Sequence, residues 1–397
     1  MGVHEGRHSA DIAVLPPRSG TVGVTRLALT DFRNYRTARL DLAAGPVVLT
    51  GFNGAGKTNL LEAVSVLSPG RGLRNARLAD FDRWPANDDD GVAGWAVAAT
   101  IETRRGAVRI GTGRDPAGGE RRVVRIDGEN ARGQAALGEV IGVTWLTPQM
   151  DRLFIEGPSA RRRFLDRLVL GFDPAHAARV SSYEHAMRER SRLLRDGADD
   201  AVWFDAVEET MAAQGVAVAA ARRDAVERLD EACAIAEGPF PRARLALQGT
   251  VEAWLDGLPA LAAEDRFRAA LKDGRAVDAA SGGATVGPHR SDLAVTHAGK
   301  GLPAEALSTG EQKALLISIV LAHARLQRQL RGEPPLLLLD EVAAHLDAAR
   351  RDALFATLID FESQVWLTGT DAAIFAPLRQ AARFLSVTDG ALSETMF

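Results

Sequence analysis

The sequence predicts an α/β fold whose sheet is assembled from two distant parts of one chain, with a mostly helical second lobe inserted between them. Three observations predict it. A short apolar strand, PVVLT at 46–50, runs directly into a glycine-rich loop and then an apolar helix. A second apolar strand, PPLLLLD at 334–340, ends in two acids near the other end of the chain. From about 173 to 237 alanine, arginine, glutamate and leucine dominate, with no proline after Pro174, which is a helical composition.

Length and charge set the frame. The 397 residues allow two or three packing units, and 46% apolar against 25% charged residues describes a soluble globular chain. A single cysteine, Cys233, excludes an internal disulfide or a cysteine-rich zinc site, and the eight histidines show no paired spacing such as H-x-x-x-H. A reducing, cytoplasmic compartment is expected. The longest apolar candidate, 314–324, is too short to span a bilayer, so no membrane is expected as a partner. The 48 basic and 52 acidic residues give a net charge of −4, so any contact with a polyanion has to be local. Only four of those cations are lysines, Lys57, Lys272, Lys300 and Lys313, which marks them as candidates for specific chemistry.

In chain order, residues 1–20 lack periodicity and any apolar centre, and read as a disordered extension. The segment 21–172 follows with β patterns at 22–29, 37–42 and 46–50, a helix at 59–67, further strands at 95–103, 108–111 and 122–126, a turn at Asp127-Gly128 and a buried strand at 140–146. The second lobe, 173–280, reads as two long helices broken near Asp196-Gly197, then a mixed stretch at 239–250 and a linker at Ser281-Gly282-Gly283. The last segment, 281–397, reads as a strand at 292–297, a helix at 309–328, the leucine strand, a helix at 348–358, the strand QVWLT and a hairpin at Asp389-Gly390.

The strongest motif is Gly51-Phe52-Asn53-Gly54-Ala55-Gly56-Lys57-Thr58, with Asn59 opening the helix behind it. Nucleotide phosphates carry several negative charges, so a loop that holds them must present consecutive backbone N–H groups at close range. Glycines permit this, and a helix N-terminus adds its dipole. Lys57 then reaches the β/γ-phosphates and Thr58 offers a hydroxyl to Mg²⁺. Asp340 and Glu341 end the leucine strand where α/β sheets place ligands. Asp340 suits the Mg²⁺ shell, and Glu341 suits polarisation of an attacking water. Leu307-Ser308-Thr309-Gly310-Glu311-Gln312-Lys313 precedes an apolar helix; Ser308 and Glu311 form a capping box, while the hydroxyl, Gly310 and the helix N-terminus also make a second anion site.

The L-S-x-G-x-Q segment resembles the signature motif of ABC-type ATPases, and its place ahead of the acid pair follows that family's order. The resemblance implies that the signature of one subunit caps the nucleotide held by the phosphate loop of another, giving an ATP-dependent homodimer. It also gives Gln149 the place of a Q-loop residue near Mg²⁺ and water, and His345 and Asp347 that of a D-loop facing the partner. A switch histidine is missing at 367–371, where Thr368 stands in its place. An ABC transporter ATPase subunit is the first alternative, but its short spacing between phosphate loop and signature is absent here. SMC proteins share the split arrangement with far longer insertions.

The resemblance narrows to the RecF family of bacterial recombinational-repair ATPases. It is carried by Leu29-Thr30-Asp31-Phe32-Arg33-Asn34-Tyr35, the phosphate loop, Pro158-Ser159-Ala160-Arg161-Arg162-Arg163-Phe164-Leu165-Asp166 and Gly287-Pro288-His289-Arg290-Ser291-Asp292-Leu293, over about 23–390. It implies weak, DNA-stimulated ATP hydrolysis, binding to DNA at single-strand gaps, and cooperation with RecR and RecO in placing RecA. Arg33 and Asn34 are further candidates for nucleotide contact, and His289 and Arg290 for the nucleotide or the dimer seam. Arg161, Arg162, Arg163, Arg188 and Arg192, with Arg190 and Arg195, concentrate charge where DNA phosphates could bind. The second alternative is a DNA clamp that uses ATP structurally without significant turnover.

Overall fold

The computed structural model describes residues 21–83, 94–115, 121–197, 200–344 and 346–395; the expected extension at 1–20 lies outside them. The chain opens with β1 (Gly23–Phe32) and β2 (Tyr35–Asp41), then β3 (Val47–Thr50), which passes through the glycine-rich loop into α1 (Lys57–Ser65). Hairpins follow: β4 (Ala96–Thr103), β5 (Gly106–Arg114), β6 (Arg122–Ile126) and β7 (Glu129–Asn130). The strand expected over 140–146 is shorter, because Val140 closes a helical turn, α2 (Leu137–Val140), and β8 spans Val143–Leu146.

α3 (Pro158–Leu170), α4 (His176–Arg195) and α5 (Ala201–Ala234) come next. The break between the last two falls at Asp196-Gly197, and the Asp200 carboxylate caps α5 by accepting the Trp203 amide at 3.0 Å. The mixed stretch resolves into β9 (Ala243–Gln248) and α6 (Thr250–Leu255), followed by α7 (Ala260–Asp273) and α8 (Arg275–Ser281). Then come β10 (Asp292–His297), β11 (Leu302–Pro303), α9 (Thr309–Arg331), β12 (Leu336–Leu339), α10 (Ala348–Ile359), β13 (Val365–Gly369) and the hairpin of β14 (Arg383–Thr388) and β15 (Ala391–Glu394).

Three sheets organise these elements. The central one has the order β15-β14-β3-β13-β12-β8, and every pairing in it is parallel except the terminal hairpin. Its strands come from both ends of the sequence, so the two parts of the chain share one core. Val47 and Leu49 face the core under the antiparallel sheet β2-β1-β4-β5-β6-β7, whereas Val48 faces the helical side; in β12, Leu336 and Leu338 take the first side and Leu337 and Leu339 the second. Burial on both faces is why these strands read as unbroken apolar runs rather than alternating ones.

The third sheet, β11-β10-β9, joins a strand from the inserted lobe to one from the last segment. Helix α5 joins the lobes as well. Up to Ala219 it contributes Met211, Val216 and Ala219 to a separate core with Tyr183 and Phe267, and beyond it Val226, Leu229 and Cys233 join the core under the central sheet.

Candidate active site

Parallel strands end on the same side, so the carboxyl ends of β3, β8, β12 and β13 deliver the glycine-rich loop, the Gln149 segment, the acid pair and Thr368 to one edge of the sheet. A cavity of about 110 Å³ lies there, lined by Asn53, Gly54, Gly56, Lys57, Thr58, Asn59, Arg74 and Glu341. Phosphate loop and acid pair, nearly three hundred positions apart in sequence, thus form one site, as the motif chemistry requires.

The loop is braced from three directions. Gly56 adopts φ 117°, and a Cβ there would sit 2.5 Å from Asn34 Nδ2 and 2.9 Å from the Tyr35 hydroxyl. That hydroxyl donates to Gly56 O at 3.0 Å, and burial pushes its pKa up. The terminal hairpin closes the other side, the Gly390 amide donating to Ala55 O at 3.1 Å. Lys57, only 4% exposed, donates to Gly51 O at 2.7 Å and Phe52 O at 3.0 Å, which curls the loop around its ammonium. Burial lowers the Lys57 pKa, and the charges of Glu341 and Asp340 oppose that shift. Phe52 projects outward, 87% exposed.

Thr58 Oγ1 donates to the Asp340 carboxylate, 3.0 Å from Oδ2 and 3.2 Å from Oδ1. A hydroxyl and a carboxylate that already meet are the hard oxygen donors that Mg²⁺ takes, so the residues present fit that ion. Among the described residues no cluster of three or more His, Cys, Asp or Glu offers an all-protein metal cage. Glu341 follows at φ 49°, a left-handed conformation unusual for a residue with a Cβ, and its amide donates to Thr368 Oγ1 at 2.9 Å. Thr368 is fully buried and donates in turn to Asp340 Oδ1 at 2.6 Å. Thr368, expected in the place of a switch histidine, has its hydroxyl held between the two acids, which it supports from below. Gln149 lies exposed in the turn of Pro148–Arg152 that follows β8, on the same edge of the sheet.

Arg33 and Asn34, expected at the nucleotide, brace the loop and the helix that border the cavity. The Arg33 guanidinium grips the buried Glu62 of α1 with Nε at 2.8 Å and Nη2 at 2.9 Å. Asn34 donates to Ala55 O at 3.2 Å and accepts from Asn59 at 2.7 Å. The residue that reaches the cavity is Arg74, which pairs with the same Glu62 at 2.8 Å and donates to Asn59 at 2.7 Å. Sequence reasoning missed Arg74 and Glu62. The available signal was a lone acid inside the apolar stretch NLLEAVSVL, which a buried helix face tolerates only with a cationic partner.

The signature residues are elsewhere. Ser308 caps α9 with Glu311, whose carboxylate accepts from the Ser308 amide at 3.0 Å and hydroxyl at 2.7 Å. Lys300 and Ser308 hold the Glu311 carboxyl down at a pKa of about 2. Ser308 and Gly310 do not line the cavity that Lys57 and Glu341 share. Asp347 caps α10, accepting the Arg350 amide at 2.8 Å, and His345 lies outside the described residues.

The arginines divide by partner. Arg161, expected at DNA phosphates, grips Asp292 at 2.7 and 2.8 Å and donates to Glu156 O at 2.6 Å. Arg190, 1% exposed, is likewise internal, bound to Glu208 and Asp278, each at 2.8 Å. Arg162 donates to Ser291 O at 2.7 Å. Arg192 is exposed yet paired with Glu189 at 2.7 Å, Arg188 is exposed with a loose partner in Glu184 at 3.7 Å, and Arg163 is exposed. His289 bridges the lobes, accepting from the Tyr183 hydroxyl at 2.6 Å and donating through Nε2 to Ala284 O at 2.8 Å, while Arg290 donates to the same carbonyl. This places His289 and Arg290 at the lobe junction.

Comparison with known proteins agrees with this geometry. The family model described as RecF/RecN/SMC N terminal domain matches residues 23–392. The DNA replication and repair protein RecF of Mesorhizobium japonicum is 52% identical over 381 residues, covering 94% of this chain and 98% of that protein. That of Brucella suis biovar 1 is 49% identical over 384 residues, covering 95% and 97%. Among solved structures, the recombination mediator protein RecF-ATPrS in the RecFOR pathway superposes with a TM-score of 0.82 at 20% identity, over 94% of this chain and 98% of that one. An Smc head domain from Pyrococcus furiosus gives 0.51 at 18% identity, over 94% and 96%. With a phosphate loop, an acid pair and a signature helix assembled on one split α/β head, and with relatives of this identity over nearly its whole length, the chain belongs to the RecF family of DNA replication and repair proteins within the RecF/RecN/SMC group.

Proposed function

We propose that the chain is an ATP-driven DNA clamp of recombinational gap repair, closing as a head-to-tail homodimer on ATP and reopening on hydrolysis. One observation carries this reading. The cavity is lined by the phosphate loop and Glu341 but by neither Ser308 nor Gly310, which supports a second copy as the source of the donors expected opposite the γ-phosphate. The relatives named RecF and the likeness to a recombination mediator of the RecFOR pathway support DNA as the substrate surface, and RecR, RecO and RecA as partners. Family membership also disfavours an ABC transporter subunit, and no helix among the described residues is long and apolar enough to cross a membrane.

In this reading ATP enters as substrate, its phosphates taking the loop amides and the Lys57 ammonium, which would leave the Gly51 and Phe52 carbonyls. Thr58 and Asp340, with Gln149 on the same edge of the sheet, would hold Mg²⁺, which would supply charge neutralisation at the phosphates. Glu341 accepts a proton from the attacking water, and Ser308 and Gly310 of the second copy donate to the developing phosphoryl charge. A held left-handed Glu341 favours turnover over a purely structural use of ATP, since such strain persists where the surrounding residues enforce it. Arg163 and Arg188 are the exposed cations proposed for DNA phosphates.

Sedimentation of the full chain with gapped and blunt duplex, with and without ATP, tests the reading. The unmodified chain should dimerise with ATP and prefer the gapped duplex. Glu341→Gln should trap the dimer with phosphate release reduced about a hundredfold or more, and Lys57→Ala should remain monomeric. Monomer alone at saturating ATP, or dimerisation by Lys57→Ala, overturns it.

A further inference from the structure

Lys313 is one of only four lysines in the chain, and it is buried, 5% exposed, on the first turns of α9 behind the signature. Its ammonium meets the Asp151 carboxylate at 3.2 Å and lies 3.5 Å from the backbone carbonyl oxygen of Glu341. Three segments therefore converge on one cation: the signature helix, the turn that carries Gln149 and Asp151, and the residue in the left-handed conformation at the end of β12.

The backbone of Glu341 is fixed at both ends. Its amide is bound by Thr368 Oγ1, and its carbonyl accepts the Ala344 amide at 3.1 Å with Lys313 alongside. A non-glycine residue at positive φ needs such enforcement, because relaxation to a β or right-handed conformation would swing its side chain away from the cavity. A cation at a carbonyl oxygen opposes that relaxation, and the Asp151 carboxylate keeps the cation from leaving.

We propose that Lys313 is a positioning residue that holds Glu341 in its working conformation and couples it to the signature helix of the same chain. The proposal rests on the reading of Glu341 as the water-polarising base, and it adds a route between two composite sites. Ser308 of a chain caps the nucleotide of its partner, while Lys313, on the same rigid helix, sets the base for the chain's own nucleotide. Seating of a phosphate on the N-terminus of α9 thus bears on hydrolysis in the opposite site of the dimer.

Two measurements test it on the full chain. Hydrogen exchange of the nucleotide-free protein needs no turnover: Lys313→Met should speed exchange of the Ala344 amide by about tenfold, and Lys313→Arg should restore most of the protection. In steady state, Lys313→Met should lower kcat about tenfold or more with the Kd for ATP within about twofold, Lys313→Arg should recover much of the rate, and Asp151→Asn should shift kcat in the same direction. An Ala344 amide as protected in Lys313→Met as in the unmodified chain overturns the proposal. So does a kcat equal to that of the unmodified chain, or a parallel loss of ATP affinity. Absence of turnover in the unmodified chain would instead refute the base assignment, and the exchange result alone would then decide the placement of Lys313.

Discussion

Replacing Thr368 by valine isolates the support beneath the acid pair. Valine keeps the shape and removes one oxygen from a site with no solvent access. The Glu341 amide then loses its 2.9 Å acceptor, and Asp340 Oδ1 loses a 2.6 Å donor while keeping Thr58 at 3.2 Å. An unsatisfied buried amide costs about 1–3 kcal/mol, and a hydrogen bond to a charged oxygen contributes about 1.5–3 kcal/mol. Against this, Glu341 at φ 49° is released from a conformation that stores about 1–3 kcal/mol. The net destabilisation is therefore about 2 kcal/mol, whereas the effect on turnover is larger, because the relaxation that softens the stability loss moves Glu341, the proposed base. Urea unfolding compared with Thr368→Ser, which keeps the hydroxyl, reads the first quantity, and phosphate release reads the second. If Thr368→Val matches Thr368→Ser within about 0.5 kcal/mol and turns over equally fast, the support described here is not what holds the acid pair.

Two further outcomes follow from buried ionisable groups. His323 is 1% exposed, donates through Nε2 to Leu168 O at 2.9 Å, and is pushed down to a pKa of about 4, first by burial and then by Arg167, against the pull of that carbonyl. The unfolded chain binds this proton near the ordinary 6.5 and the folded chain does not. Its contribution is therefore intact above about pH 6.5, and stability falls by about 3 kcal/mol as pH drops towards 4. Urea midpoints across that window should decline in the unmodified chain and flatten in His323→Gln. Arg190→Met leaves Glu208 and Asp278 without their shared guanidinium, although Arg275 and Thr285 still bind them. The inserted lobe should lose about 3–5 kcal/mol, visible as faster proteolysis between α4 and α8 while the phosphate loop still binds nucleotide.

Much of the site was legible in the residues themselves. The phosphate loop, the Asp340-Glu341 pair and the Ser308-Glu311 cap each combine a local geometry with a local chemistry, so their spacing suffices to announce them. The four leucines of β12 read as a buried strand because both of their faces are covered, and the break before α5 was marked by Asp196-Gly197.

The phosphate-loop motif, the acid pair and the α/β head split across the chain were legible in the sequence alone, because backbone dihedral preferences, apolar periodicity and phosphate chemistry act over a few residues. Only the tertiary structure decided which charged groups are available for function. An arginine carries the same charge whether it faces solvent, as Arg163 does, or grips a distant carboxylate, as Arg161 does with Asp292 and Arg190 with Asp278. The convergence of Lys313, Asp151 and Glu341, and the burial of Thr368 beneath the acids, arise from strands and helices that meet only once the sheet has closed. Pair energies depend on distance through space, and sequence order does not encode that distance.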